Sequence, residues 1–266
     1  MNNDGFFKIE LSLENNMFQA LSESVDFVST GKGRLGNHLV DRTEKGVPIV
    51  RTTTRYNVPA HTFSSIHHNL VDEIEKEIKR SDSDHLKSVH FNHGLIEIYE
   101  RNYTKMKYHS DQCMDIEENS YFGLYSCYER PEELTDQSIR KLKVKNKKTD
   151  EENEILLTHN SVILFSFSTN SKFSHKIVLE AVRNKKRLEF DNRWLGVTFR
   201  QSKSLIQFKN NIPCFTDGRT LKMANEEEQR EFYKLRGQEN SIVGFKYPKL
   251  HYTLSLADIM EPKEAK

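Results

Sequence analysis

No stretch of this 266-residue chain comes near the ~18 consecutive apolar residues that a membrane-spanning helix needs, so a helical membrane protein is excluded. Cysteine is scarce. Cys113, Cys127 and Cys214 show no CxxC spacing and cannot all pair, which excludes a disulfide scaffold. The opening residues Met1-Asn2-Asn3-Asp4 offer neither a basic nor an apolar leader region. The expected setting is therefore soluble, intracellular and reducing, cytoplasmic or nuclear alike. An excess of charge is also lacking: 40 Lys and Arg against 39 Asp and Glu leave +1, which argues against a general polyanion binder. A local basic face stays compatible with that balance. Internal repeats are absent as well.

What is present is a polar but foldable composition, 36% hydrophobic and 30% charged, with sixteen Phe and ten Tyr to fill a core. Ile66, Leu70, Ile74 and Ile78 recur every four residues between charges, predicting an amphipathic helix over 65–80. The β-branched run 49–56, after Gly46 and Pro48, predicts a strand. From about 89 to 208 the chain reads as short strands at 95–99, 120–128, 162–167, 175–179, 187–190, 194–199 and 205–208. Many short strands at close spacing suggest a β-sandwich or barrel. Residues 130–154 interrupt them, with Arg140, Lys141, Lys143, Lys145, Lys147 and Lys148 ahead of Asp150, Glu151 and Glu152. They read as a solvated, mobile excursion, or else as a basic flap over an anionic partner. Residues 222–240 read as a charged covering helix.

Tyr108-His109-Ser110-Asp111 ends a strand predicted to begin near Lys105. Residues two apart on a strand share a face, so the imidazole of His109 and the carboxylate of Asp111 converge on one point. Two such ligands and a further His, with open positions opposite, form the arrangement of a non-haem Fe(II) oxygenase. Taken alone, His-x-Asp is as well read as two solvated loop residues. A second imidazole must come from a distant strand, and His175 follows the buried strand 162–167 across a short Ser/Thr/Asn turn. A guanidinium could then hold the distal carboxylate of 2-oxoglutarate through paired hydrogen bonds. Arg200, on the strand face of Thr198, is one candidate, and Arg193 at the strand's other end is the second.

Together these residues resemble the AlkB-like branch of the 2-oxoglutarate/Fe(II)-dependent dioxygenases, over roughly residues 91–208. The strand Leu95-Ile96-Glu97-Ile98-Tyr99 resembles the family's Asn-x-Tyr strand, with Tyr99 matching and Glu97 in place of Asn. His109-Ser110-Asp111 matches its His-x-Asp. Ser161-Val162-Ile163-Leu164-Phe165-Ser166 resembles the strand leading to its distal His, here His175. Thr198-x-Arg200 resembles the end of its Arg-x-Asn-x-Thr-x-Arg signature. In that register Trp194 replaces the first Arg and Gly196 the Asn; Arg193 would serve only if a bulge at Gly196 turned it inward.

The resemblance implies a mainly β fold with flanking helices, a double-stranded β-helix or jelly roll. It implies an N-terminal extension, 1–88, forming a substrate lid and sheet support. The oxygenase core would be 89–210, and 211–266 a helical and irregular extension packed on it. It implies Fe(II) on His109, Asp111 and His175, and 2-oxoglutarate at Tyr99, Thr198, Arg200 and Arg193. With O₂, a C–H bond of the substrate would be oxidised and an N-methyl group lost as formaldehyde. A methylated base of DNA or RNA is the leading substrate reading, with Tyr56 stacking on a flipped base and Arg51 or Arg55 on phosphate. The same chemistry on a protein side chain or a small molecule is the second. A non-enzymatic jelly-roll binding module, with His and Asp incidental, is the third.

Overall fold

The computed structural model describes residues 5–81, 86, 88–104, 106–180 and 192–266. The chain begins with β1 (Phe6–Glu10), α1 (Phe18–Glu23), the hairpin β2 (Val28–Gly31) and β3 (Arg34–Val40), and the two-residue strands β4 (Val47–Pro48) and β5 (His61–Thr62). Helix α2 (Ser65–Arg80) follows as its spacing predicts, burying Leu70, Ile74 and Ile78. Each such burial contributes roughly 1.5–3 kcal/mol. Next come β6 (His93–Tyr99), β7 (Tyr121–Tyr128), the hairpin β8 (Lys141–Asn146) and β9 (Glu152–Leu156), β10 (Ser161–Ser166), the short α3 (Phe167–Lys172), β11 (Phe173–Val178) and β12 (Trp194–Arg200). The tail holds β13 (Leu205–Lys209), β14 (Ile212–Phe215), β15 (Lys222–Met223), α4 (Glu226–Ser241) and β16 (Tyr252–Thr253).

The larger sheet runs β1-β10-β7-β12-β6-β3-β2, with β5 beside β3; the smaller runs β11-β8-β9. An isolated bridge between His109 and His175 places the residue-109 strip on the free side of β11. From β6 onward the chain therefore alternates between the sheets: β6, the 109 strip, β7, β8–β9, β10, β11, β12. That winding is a jelly roll, the double-stranded β-helix that the family resemblance implies.

Period-two alternation explains the nearly continuous apolar strands. On β12, Leu195, Val197 and Phe199 pack with Leu21, Leu70 and Ile74 under the helices, whereas Trp194 joins Phe122, Leu142 and Ile177 between the sheets. On β10, Val162 and Leu164 face the helices and Ile163 and Phe165 the interior. Strands buried on both faces have no polar side to show.

Two expectations are corrected here. Residues 49–56 form no strand beyond the pairing of β4, because neighbouring groups take the backbone bonds. Ile49 N–H donates to Ser204 O at 3.0 Å, Arg51 N–H to Asp115 Oδ2 at 2.8 Å and Tyr56 N–H to Ser255 Oγ at 3.0 Å. Residues 130–154 are no loose excursion but mostly the hairpin β8–β9, in which Leu142 and Val144 face the core and the lysines face out. The sequence-predicted strand 187–190 and the start near Lys105 lie outside the described residues. Among the described residues, no helix is long and apolar enough to cross a membrane.

Candidate metal centre

His109 and His175 reach each other through backbone bonds at the seam of the smaller sheet: His109 N–H donates to His175 O at 3.0 Å and His175 N–H to His109 O at 2.6 Å. That pairing sets their rings side by side, 4.8 Å between centroids. Asp111 lies two residues on, and ligand-type atoms of His109, Asp111 and His175 all fall within 4.8 Å of one another. Such convergence suits a single ion held by two imidazoles and one carboxylate.

Electrostatics prepare the donors. Burial, followed by the neighbouring His175, pushes His109 well below the usual imidazole range, and burial lowers His175 as well. Both rings are therefore neutral near pH 7, with lone pairs available. Burial works against the charged Asp111, but Arg200 and then the two histidines outweigh it and hold the carboxyl below its usual range. His109 Nδ1 lies 3.0 Å from the carbonyl of Lys107, which can only accept, so Nε2 is left as the ligand atom. His175 Nδ1 is buried without a protein partner. Two neutral imidazoles and one carboxylate converging on one point form a donor set that fits Fe(II).

The Asp111 loop is held from two helices. Asn170 of α3 accepts from Asp111 N–H at 2.8 Å and donates to Asp111 O at 2.8 Å. From α4, Asn240 Oδ1 accepts from Ser110 N–H at 3.1 Å and Glu239 Oε1 from Cys113 N–H at 2.8 Å. Arg236 of the same helix donates to Ser110 O and pairs with Glu239. None of these four residues is marked in the sequence as belonging to a site. Asn170 alone lies near a motif, inside the polar turn before His175.

Arg200, buried at 4% exposure, donates to Asp111 Oδ1 at 3.3 Å, while its Nε and Nη1 have no protein partner. It lines the same cavity as the three candidate ligands, together with Arg34, Glu97, Tyr99 and Thr198. Tyr99 is fully buried and donates its hydroxyl to Glu97 Oε2 at 2.9 Å. Arg34, which carries no motif signal, pairs with Glu97 at 2.5 Å.

The other sequence candidates are elsewhere. Arg193 points outward, where Glu129 takes its guanidinium at 2.7 and 2.9 Å and the ring of Phe18 lies beneath it. No bulge turns it inward, because β12 pairs with β6 and β7 in unbroken register through Gly196. Gly196 serves a close approach instead: a Cβ there would lie 2.1 Å from the Trp194 indole. Arg51 is buried against Asp115, at 2.7 Å, and donates to the carbonyls of Leu250 and Tyr252. Tyr56 is 1% exposed, its ring edge-on to His38. Arg55 is exposed and donates to Gln229 at 2.8 Å. Burial of Arg51 and Tyr56 removes both from base or phosphate contact.

Comparison with solved structures gives distant likenesses. The solved structure of OsALKBH1 aligns at a TM-score of 0.46 and 11% identity, covering 74% of this chain and 96% of that one. A Pseudomonas putida prolyl-4-hydroxylase aligns at 0.38 and 14%, covering 74% and 92%. No family model matches, and no curated protein does. These likenesses are too remote to carry function, which rests on the chain's own residues.

Proposed function

We propose that this protein is an Fe(II)- and 2-oxoglutarate-dependent oxygenase. One observation carries the reading: a His-Asp-His cluster converges within 4.8 Å in a cavity that also presents a buried guanidinium with two unpartnered nitrogens. A structural ion pair would leave those nitrogens satisfied within the chain, whereas an anionic co-substrate beside a metal would bond them here.

His109, Asp111 and His175 would hold the iron, and Arg200 would contribute charge-assisted bonds to the bound oxo acid. The iron, with 2-oxoglutarate and O₂, supplies oxidation of a substrate C–H bond with release of succinate and CO₂. The protein's own part is positional. Arg200 fixes Asp111, Asn170 and α4 fix its backbone, and Leu95, Leu124, Phe165 and Ile177 wall the cavity with apolar side chains.

For the substrate, the arrangement favours a small molecule or a protein side chain over a methylated base. Arg51 and Tyr56 are committed inside the fold. The lysines of β8 are matched by acids: Lys141 with Glu154 at 2.7 Å, Lys143 with Glu180 at 3.2 Å and Lys145 with Asp150 at 2.9 Å. No basic track beside the cavity then remains among these candidates to follow a phosphate backbone. Oxidative demethylation of a DNA or RNA base is the reading this displaces. Succinate release stimulated by methylated oligonucleotides, and not by peptides or small amines, would reverse the order.

The class is tested by anaerobic titration with Fe(II) and 2-oxoglutarate, watching for the visible charge-transfer band of their chelate. A band in the wild type that disappears in Asp111→Ala is expected. A folded, metal-freed wild-type protein that gives no band sinks the proposal and leaves a non-enzymatic binding module.

A further inference from the structure

The cavity contains two places suited to an anion, and the chain fills one of them itself. The first is Arg200, beside the metal cluster. The second lies further along the same wall. Arg34 on β3 is the register partner of Tyr99 on β6, so the two share a face, and Glu97, two residues from Tyr99 on the same strand, lies diagonal to Arg34. Arg34 Nε and Nη2 both reach Glu97 Oε1, at 2.6 and 2.5 Å, while the Tyr99 hydroxyl donates to Oε2 at 2.9 Å. A guanidinium edge and a phenol thus grip a carboxylate, as a site for an external carboxylate would.

The two stations line one cavity. Glu97 pairs with Gly196, four residues before Arg200 on β12, so about 13 Å of strand separates those backbones, and Arg34, Tyr99 and Arg200 all line the space between. The cavity is tight, about 60 Å³ in volume. The end near Tyr99 is further closed by the Trp194 ring, 4.8 Å away. A carboxylate entering there has no other cationic wall to choose among the cavity-lining residues than Arg34 and Arg200.

We infer that Arg34 and Tyr99 form the seat for the distal carboxylate of the co-substrate, and that Glu97 is an internal stopper occupying that seat. This rests on the oxygenase reading. A dicarboxylate must displace Glu97 and then lie beside its negative charge, so the stopper weakens 2-oxoglutarate selectively. A 2-oxo acid without the second carboxylate never meets it.

The test compares the anaerobic Fe(II) charge-transfer titration with 2-oxoglutarate and with pyruvate, in wild type, Glu97→Gln, Glu97→Ala and Arg34→Ala/Glu97→Ala. Removing the charge at Glu97 should tighten 2-oxoglutarate tenfold or more and leave pyruvate unchanged. Arg34→Ala in the Glu97→Ala background should cancel the gain. In parallel, without iron, 2-oxoglutarate should raise the melting temperature of Glu97→Gln more than that of wild type; this variant keeps the side-chain shape should Glu97→Ala fold poorly. Bands with pyruvate, but no tightening of 2-oxoglutarate in either Glu97 variant, overturn the stopper alone. Failure of both oxo acids to give a band in every protein overturns the oxygenase reading and the stopper with it.

Discussion

Arg200 holds two jobs at one point, bracing Asp111 and presenting two further nitrogens to the cavity. Arg200→Met keeps much of the volume and removes the charge. Loss of charge-assisted hydrogen bonds, ~1.5–3 kcal/mol, corresponds to roughly a 10- to 150-fold weaker 2-oxoglutarate complex. Band titration reads that directly, and Arg200→Lys should recover only part of it because an ammonium cannot imitate the fork. At this scale the sequence was most legible where backbone periodicity alone settles direction. His109 and Asp111 converge because they lie two apart, and Arg200 shares the inward face of β12 with Thr198. It was least legible for Arg51, Tyr56 and Arg193. Their partners, Asp115, His38 and Glu129, are 64, 18 and 64 positions away, and nothing local distinguishes a buried structural arginine from a ligand-binding one.

Among the elements, α4 works as a brace for the metal loop rather than as a mere cover. Arg236→Ala removes the donor to Ser110 O and the pair with Glu239. Supporting contacts around ligands are worth about 10–100-fold in metal affinity, so a weakening in that range is expected by competition with a chelator. The residues His109, Asp111 and His175 stay untouched in that variant. Helix α2 offers a separate prediction. Its His67 is buried, with Nδ1 accepting from Ser64 N–H at 3.0 Å, and burial lowers its pKa to about 4. Since the unfolded imidazole titrates near 6.5, the unfolded state takes up a proton first as pH falls. The contribution is therefore whole above 6.5 and is lost as pH drops toward 4, by at most about 3 kcal/mol. His67→Gln should flatten that part of the stability-against-pH curve measured by urea unfolding. Helix α2 itself was plain in the sequence from its fourfold apolar spacing, and β6, β7, β10 and β12 from their short, nearly continuous apolar and aromatic runs. The hairpin β8–β9 was not, because charges alternating with Leu142 and Val144 look like a solvated run until Glu154, Glu180 and Asp150 are seen opposite them.

For the molecule as a whole, the C-terminal segment ties the N-terminal third to the jelly roll. Arg51 holds the carbonyls of Leu250 and Tyr252, Ala257 N–H donates to Tyr56 O at 3.1 Å, and Lys263 N–H to Ala60 O at 2.9 Å. Truncation before Leu250 would leave the Arg51 guanidinium and several backbone groups short of partners. A lower melting temperature and a broadened transition are expected, read by circular dichroism. The order of strands carries one more consequence. In the larger sheet, β1 lies against β10 and β3 against β6, so both flanks of the jelly roll proper are covered by chain from the first forty residues. A fragment cut to residues 89–210 would bare two long, apolar strand edges, each a template for pairing with another copy. Such a fragment should self-associate rather than remain monomeric, so the N-terminal strands guard against aggregation as well as supplying Arg34 to the cavity.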